Sequence, residues 1–134
     1  MLKYKCLVLD HDDTVVQSMK TLSYPFFLLE LEQFRPGETI SIEDYILECH
    51  RLGFAELCRQ RFRFTEGEMR QEHKQWMAYI MNHIPAPYPG IDQIIHRQKA
   101  EGGLICVVSH SHVDNISRDY QIHFGIQPDS IYGW

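Results

Sequence analysis

The sequence lacks any apolar run long enough to cross a membrane as a helix. Its longest, Tyr24 to Leu29, falls far short of the roughly 20 residues such a helix needs. A secretory leader is not expected either, because the apolar stretch after Lys3 and Lys5 is broken at once by Asp10, His11, Asp12 and Asp13. The four cysteines, Cys6, Cys49, Cys58 and Cys106, form no CxxC pair. Two of them sit inside apolar, strand-like runs, so they read as reduced thiols, and a cytoplasmic protein is the default expectation. Basic residues are in deficit, 13 against 18 acidic ones for a formal charge of −5, with no charged tail. That balance argues against a nucleic-acid partner. It does not exclude an anionic small molecule, since phosphate sites are built locally from backbone N–H groups and a few charges. No internal repeat or low-complexity segment is present.

What remains is an ordinary globular composition, 44% hydrophobic and 23% charged over 134 residues, a length that suits one core. Tyr4 to Leu9 is a nearly continuous apolar run ending in acids, the pattern of a buried parallel strand that delivers its C-terminal end to a polar site. From Gln17 to Ile84 the character is helical. Ser41-Ile42-Glu43-Asp44 and Thr65-Glu66-Gly67-Glu68 fit the capping-box pattern that opens a helix. Met69, Trp76, Met77 and Ile80 continue the second at helical spacing, and Gly53 stops the first. Three or four helices are expected, with Tyr24, Phe26, Phe27 and Trp76 in their core. Pro85, Pro87, Pro89 and Gly90 then end this region. Ile91, Ile94 and Ile95 start a short amphipathic helix, Leu104 to Val108 form a second buried strand, and a helix spans about Val113 to Phe124. Ser130 to Tyr132 open a third strand.

Alternating strands and helices predict an α/β fold with a parallel, Rossmann-like sheet. The expected organisation is a core of residues 1–16 and 85–134 with an all-helical insert, 17–84. Asp10 and Asp12, two apart just past the end of a strand, fall at the C-terminal edge where open α/β sheets bind ligands. A turn in which Asp caps the next element gives the same pattern, so the pair alone does not decide function.

The surrounding residues add to it. Leu7-Val8-Leu9-Asp10-His11-Asp12-Asp13-Thr14-Val15 resembles the first motif of the haloacid dehalogenase-like superfamily, an apolar strand followed by Asp-x-Asp-x-Thr. Leu104-Ile105-Cys106-Val107-Val108-Ser109 resembles its second motif, an apolar strand ending in Ser or Thr. Pro87-Tyr88-Pro89-Gly90-Ile91 looks like the re-entry from a helical cap in the branch of phosphoglycolate phosphatase and β-phosphoglucomutase.

The resemblance implies a Mg²⁺-dependent phosphatase acting on a small phosphorylated metabolite through an aspartyl-phosphate. Asp10 matches the attacking carboxylate and Asp12 the general acid/base. Both match metal-site positions, Asp10 through its carboxylate and Asp12 through its backbone carbonyl, an all-oxygen set that suits Mg²⁺. Ser109 matches the residue that hydrogen-bonds the phosphoryl group, the N–H groups opening the next helix are expected to help hold the anion, and His110 is expected to line the phosphate pocket. The acid at Asp12 favours phosphoryl chemistry over dehalogenation.

The sequence departs from the pattern at four points. Asp13 stands where the family most often has Gly, and tuning the metal and capping a turn are both open. His11 stands between the acids where an apolar residue is common; alternation points it away from Asp10, which favours packing over ligation. His110 and His112 form a His-x-His pair, but without a third ligand nearby a transition metal is not expected. A Lys and a second acidic motif that the family places after the third strand have no counterpart, since Lys99 comes too early in order and Asp129 lies in the wrong context. The expectation is therefore a partial core, either continuing past Trp134 or belonging to a truncated relative. The alternative function is a non-catalytic protein that binds a phosphorylated ligand or a partner protein. An open sheet edge in a chain of this length would call for a covering homodimer.

Overall fold

Apolar residues in β-branched runs build the sheet. In the computed structural model, which describes Met1–Trp134, strand β1 (Cys6–Leu9) pairs in parallel with β2 (Leu104–Val108), Cys6 opposite Leu104 and Leu9 opposite Val107. On its other side β2 pairs in parallel with β3 (Ser130–Tyr132), giving the order β1-β2-β3. The first strand is shorter than the Tyr4 to Leu9 run because pairing begins where β2 does: the Leu104 N–H donates to the Lys5 carbonyl at 2.8 Å.

The chain divides into two compact units, Met1–Ser18 with Pro85–Trp134, and Met19–Ile84. In the first unit, helices α5 (Ile91–Ala100) and α6 (Val113–Phe124) pack on the sheet face that carries Ile105 and Val107. Ile95, Ile116, Tyr120 and Phe124 close that core together with Val15 and Val16. The expectation of strands buried on both faces is corrected here. Val8, Leu104 and Val108 are exposed, because both helices of this unit cover the same face and strand residues alternate between faces.

The second unit is all-helical, as its periodicity predicts. A π-helical turn, Met19–Ser23, leads into α1 (Tyr24–Phe34), followed by α2 (Ile42–Leu52), the short α3 (Phe54–Glu56), a second π turn, Leu57–Arg61, and α4 (Glu66–Asn82). Its core gathers around Phe27, whose ring lies 5.3 Å from Tyr45, 5.4 Å from Phe62 and 5.6 Å from Phe54. Each buried aromatic of this kind contributes about 2–3 kcal/mol of apolar burial. Thr65 and Glu68 form a complete capping box at the start of α4, whereas at α2 only the Ser41 half forms, its hydroxyl accepting from the Asp44 N–H at 3.1 Å. No helix is long and apolar enough to cross a membrane.

Candidate active site

Parallel pairing brings the two polar loops together. Asp10 is the first residue past β1 and Ser109 the first past β2, and the register that sets Leu9 against Val107 places both loops at the same edge of the sheet. Asp10 is exposed. One oxygen of its carboxylate, Oδ1, accepts the His11 N–H at 2.7 Å.

The loop that follows winds around a single carbonyl. His11 O accepts from the N–H groups of Thr14 at 3.3 Å, Val15 at 2.9 Å and Val16 at 3.2 Å, and the Asp13 N–H donates to Val16 O at 2.7 Å. Asp13 makes the turn possible by adopting φ 56°, the left-handed region. That region favours Gly and tolerates Asp or Asn better than other side chains, so the residue that departs from the resembled motif does the conformational work of the glycine it replaces.

Asp12 is where the loops are joined. Its Oδ1 accepts from the Ser18 hydroxyl at 2.6 Å; its Oδ2 accepts from the Ser111 hydroxyl and, at 3.5 Å, from that of Ser109. At such a length the Ser109 contact is marginal, and Ser111 carries the link. Ser109 Oγ in turn accepts the Ser111 N–H at 3.1 Å. Of the four candidate residues, the structure brings Ser109 to within 3.5 Å of Asp12, places Asp10 two positions before Asp12 in sequence, and leaves His110 exposed on the Ser109 loop with no hydrogen bond to either acid.

Two participants escaped the sequence reading. Ser18 lies in the stretch read as helical insert, and Ser111 in a polar run whose direction no pattern reveals. Nothing in sequence marks a serine as partner to a carboxylate 99 positions away. The expectation that amides at the start of α6 face an anion is also corrected, because several are already engaged. The N–H of Val113 donates to Trp134 O at 3.0 Å, and that of Asp114 donates to the His112 ring at 3.2 Å. His112 therefore caps the start of α6 through its ring nitrogen.

His11 turns into the core, in keeping with the packing reading. It is 1% exposed, its Nε2 lies 2.9 Å from Asp119 Oδ2, and its ring stacks on Tyr120 with centroids 5.9 Å apart. Lys99 and Asp129 pair with one another at 2.8 Å near the start of β2, where Asp129 also accepts the Ile105 N–H. The Lys99 hydrogen bond holds the Asp129 carboxyl below its ordinary range. Both are structural and sit at the wrong end of the strand for chemistry at Asp10. A cleft lined by Met1, Leu2, Lys5, Glu101 and Leu104 lies at that same far edge.

As a cation site, the residues present offer hard oxygen donors only: the Asp10 carboxylate and the carbonyls of the loop. The Asp12 carboxylate is occupied by hydroxyls, while the loop's own hydrogen bonds use the carbonyls of His11 and Val16. The donor set fits Mg²⁺ in kind, and no group of three or more His, Cys, Asp or Glu side chains gathers to hold a metal by itself.

No protein-family model and no curated protein matches the sequence. Solved structures do match the fold. A protein from Haemophilus somnus described as a predicted phosphoglycolate phosphatase superposes with a TM-score of 0.73 at 20% identity, over 99% of this chain and 64% of that one. A haloacid dehalogenase-like hydrolase from Bacteroides fragilis gives 0.71 at 15% identity, over 98% and 63%. CbbY from Rhodobacter sphaeroides, solved with xylulose-(1,5)-bisphosphate, gives 0.63 at 17% identity, over 96% and 63%. The chain spans just under two thirds of the length of these proteins. Each superposition extends over nearly the whole of this chain, and its fold is the one these solved structures share.

Proposed function

We propose that this chain carries the nucleophile half of a Mg²⁺-dependent phosphatase for small phosphorylated metabolites. The observation that carries the reading is the Asp12 carboxylate, held by hydroxyls from both loops immediately beside an exposed Asp10 at the C-terminal edge of a parallel sheet. With Asp10 Oδ1 held by the His11 N–H, Oδ2 is the oxygen that attacks phosphorus. Asp12 enters the cycle carrying a proton; as the bond from phosphorus to the leaving oxygen breaks it gives that proton to the oxygen, and an aspartyl-phosphate forms on Asp10. Asp12 then takes a proton from water, which attacks the phosphorus and releases inorganic phosphate. Ser109, at the mouth of the second loop, donates to the phosphoryl group.

The Asp10 carboxylate and the Asp12 carbonyl would hold Mg²⁺, which supplies charge neutralisation for the approach of two anions and polarises the phosphoryl group. The substrate class follows the resembled proteins, one of which binds a sugar bisphosphate. The test is phosphate release with Mg²⁺ over a panel of sugar phosphates and phosphoglycolate, wild type beside Asp10→Asn. Loss of activity in Asp10→Asn, with an unchanged melting temperature, is expected; equal activity in both proteins sinks the nucleophile assignment. Beryllofluoride with Mg²⁺, which mimics the phosphorylated aspartate, raises the melting temperature of the wild type and not of the variant.

A further inference from the structure

We propose that His11 and Asp119 form a buried positioning pair that fixes the Asp10–Asp12 loop from the core side. Both residues are almost fully enclosed, His11 at 1% and Asp119 at 2% exposure, with Nε2 and Oδ2 2.9 Å apart. Asp119 is itself immobilised, because its other oxygen accepts from the Arg118 guanidinium at 2.9 and 3.1 Å. With both carboxylate oxygens engaged, the acid cannot turn without breaking one partnership. The imidazole is held in addition by the face of Tyr120, whose ring meets Phe124 edge-on at 5.3 Å.

Filling this position with a polar pair carries a desolvation cost that an apolar side chain avoids. What the pair adds is direction, since a hydrogen bond fixes an angle that packing leaves soft. That direction is delivered to the peptide groups of residue 11. The N–H of His11 orients Asp10 Oδ1, and its C=O accepts the three amides that close the loop carrying Asp12. The anchor on the far side is α6, the helix that follows directly on the Ser109–His112 loop. One side-chain pair therefore ties the first loop to the element that positions the second. A shift of about 1 Å at a reacting group is enough to cost a large part of a rate.

The pair is a geometric claim, while its effect on turnover rests on the reading of Asp10 as nucleophile. Two readouts in the full chain separate them. The first needs no activity: hydrogen exchange of the Val15 and Val16 amides, which donate to His11 O. Asp119→Ala speeds both by about tenfold or more while the β2 ladder amides stay protected, and Asp119→Asn, which keeps an acceptor for the ring, restores them to within about twofold. Val15 and Val16 exchanging at the wild-type rate in a folded Asp119→Ala overturns the proposal. If Asp119→Ala loses its fold, Asp119→Asn must still protect these amides and His11→Leu must loosen them, and failure of either result overturns it equally. The second readout is kinetic. Asp119→Ala lowers kcat by at least about tenfold with KM changed less than about twofold, and Asp119→Asn recovers most of it. A parallel fall in both parameters, or no recovery in Asn, also counts against positioning. Absence of phosphate release from the wild type removes the phosphatase reading and leaves the exchange experiment to decide the pair.

Discussion

Ser18 Oγ donates a 2.6 Å hydrogen bond to Asp12 Oδ1, and the Ser111 hydroxyl donates to Oδ2 of the same carboxylate from the other loop. The two hydroxyls hold the two oxygens of one acid. Ser18→Ala leaves Asp12 Oδ1 without its side-chain donor and Ser111→Ala leaves Oδ2 with only the 3.5 Å contact from Ser109, a loss of about 1–2 kcal/mol in each case. Because both act on one carboxylate, the double variant should depart from additivity, and a double-mutant cycle on thermal stability measures by how much. Strict additivity would mean that the two serines do not share Asp12.

Asp13 takes φ 56°, so its replacement is decided by backbone conformation first. Asp13→Gly adopts that angle freely and is expected to change stability by less than about 1 kcal/mol. Asp13→Val, with a branched Cβ in the left-handed region, should cost about 1–2 kcal/mol or more. Urea denaturation of the three proteins tests the order; a Gly variant less stable than the Val variant would show that the left-handed backbone does not decide it.

The parts of this molecule that could be read from sequence are those set by neighbours along the chain. Apolar runs ending at Asp10 and Ser109 gave β1 and β2, Thr65 and Glu68 announced the start of α4, and Val113 and Phe124 bound α6 as expected. What stayed hidden depends on partners distant in sequence. Ser111 and Asp119 meet residues of the first loop across separations of 99 and 108 positions. A serine or an aspartate carries no periodic signal of such a meeting. The bare face of the sheet was equally illegible, because an apolar run looks the same whether helices cover one side of it or two. The π turns at Met19–Ser23 and Leu57–Arg61 likewise have no pattern of their own.

Gly133 sits against the loop that carries Ser111. A Cβ at this position would run into the Ser111 carbonyl, a backbone atom that cannot swing aside. The same stretch holds the loop through Trp134, whose N–H donates to Ser111 O at 3.2 Å and whose carbonyl accepts from Val113. Gly133→Ala should therefore displace the second loop and cost about 1–3 kcal/mol. The amide resonances of Ser109 to Val113 should move while those of the helical unit, Met19–Ile84, stay in place. Unmoved loop resonances in the variant would mean that the chain end yields and the loop does not depend on it.

Glu30 and Glu72 are buried in the helical unit, 3% and 6% exposed. Burial, with the Glu72 charge adding to it, pushes the Glu30 carboxyl up from 4.5 to about 7, and burial raises Glu72 as well. Between pH 4.5 and 7 the folded chain therefore keeps a proton that the unfolded chain has released. Stability is greatest below that window and falls as pH rises through it, by up to about 3 kcal/mol if the whole shift is realised. Glu68 has the opposite sign in a different window: the Arg35 hydrogen bond holds it at about 2, so its contribution is lost only as pH falls below 4.5. Glu30→Gln keeps the shape and removes the titration. Urea midpoints measured from pH 4.5 to 8 should decline for the wild type and stay flatter for Glu30→Gln, with the variant the more stable protein at pH 8. Parallel curves would place the proton elsewhere, with the Glu72 partner the first to examine by the same substitution.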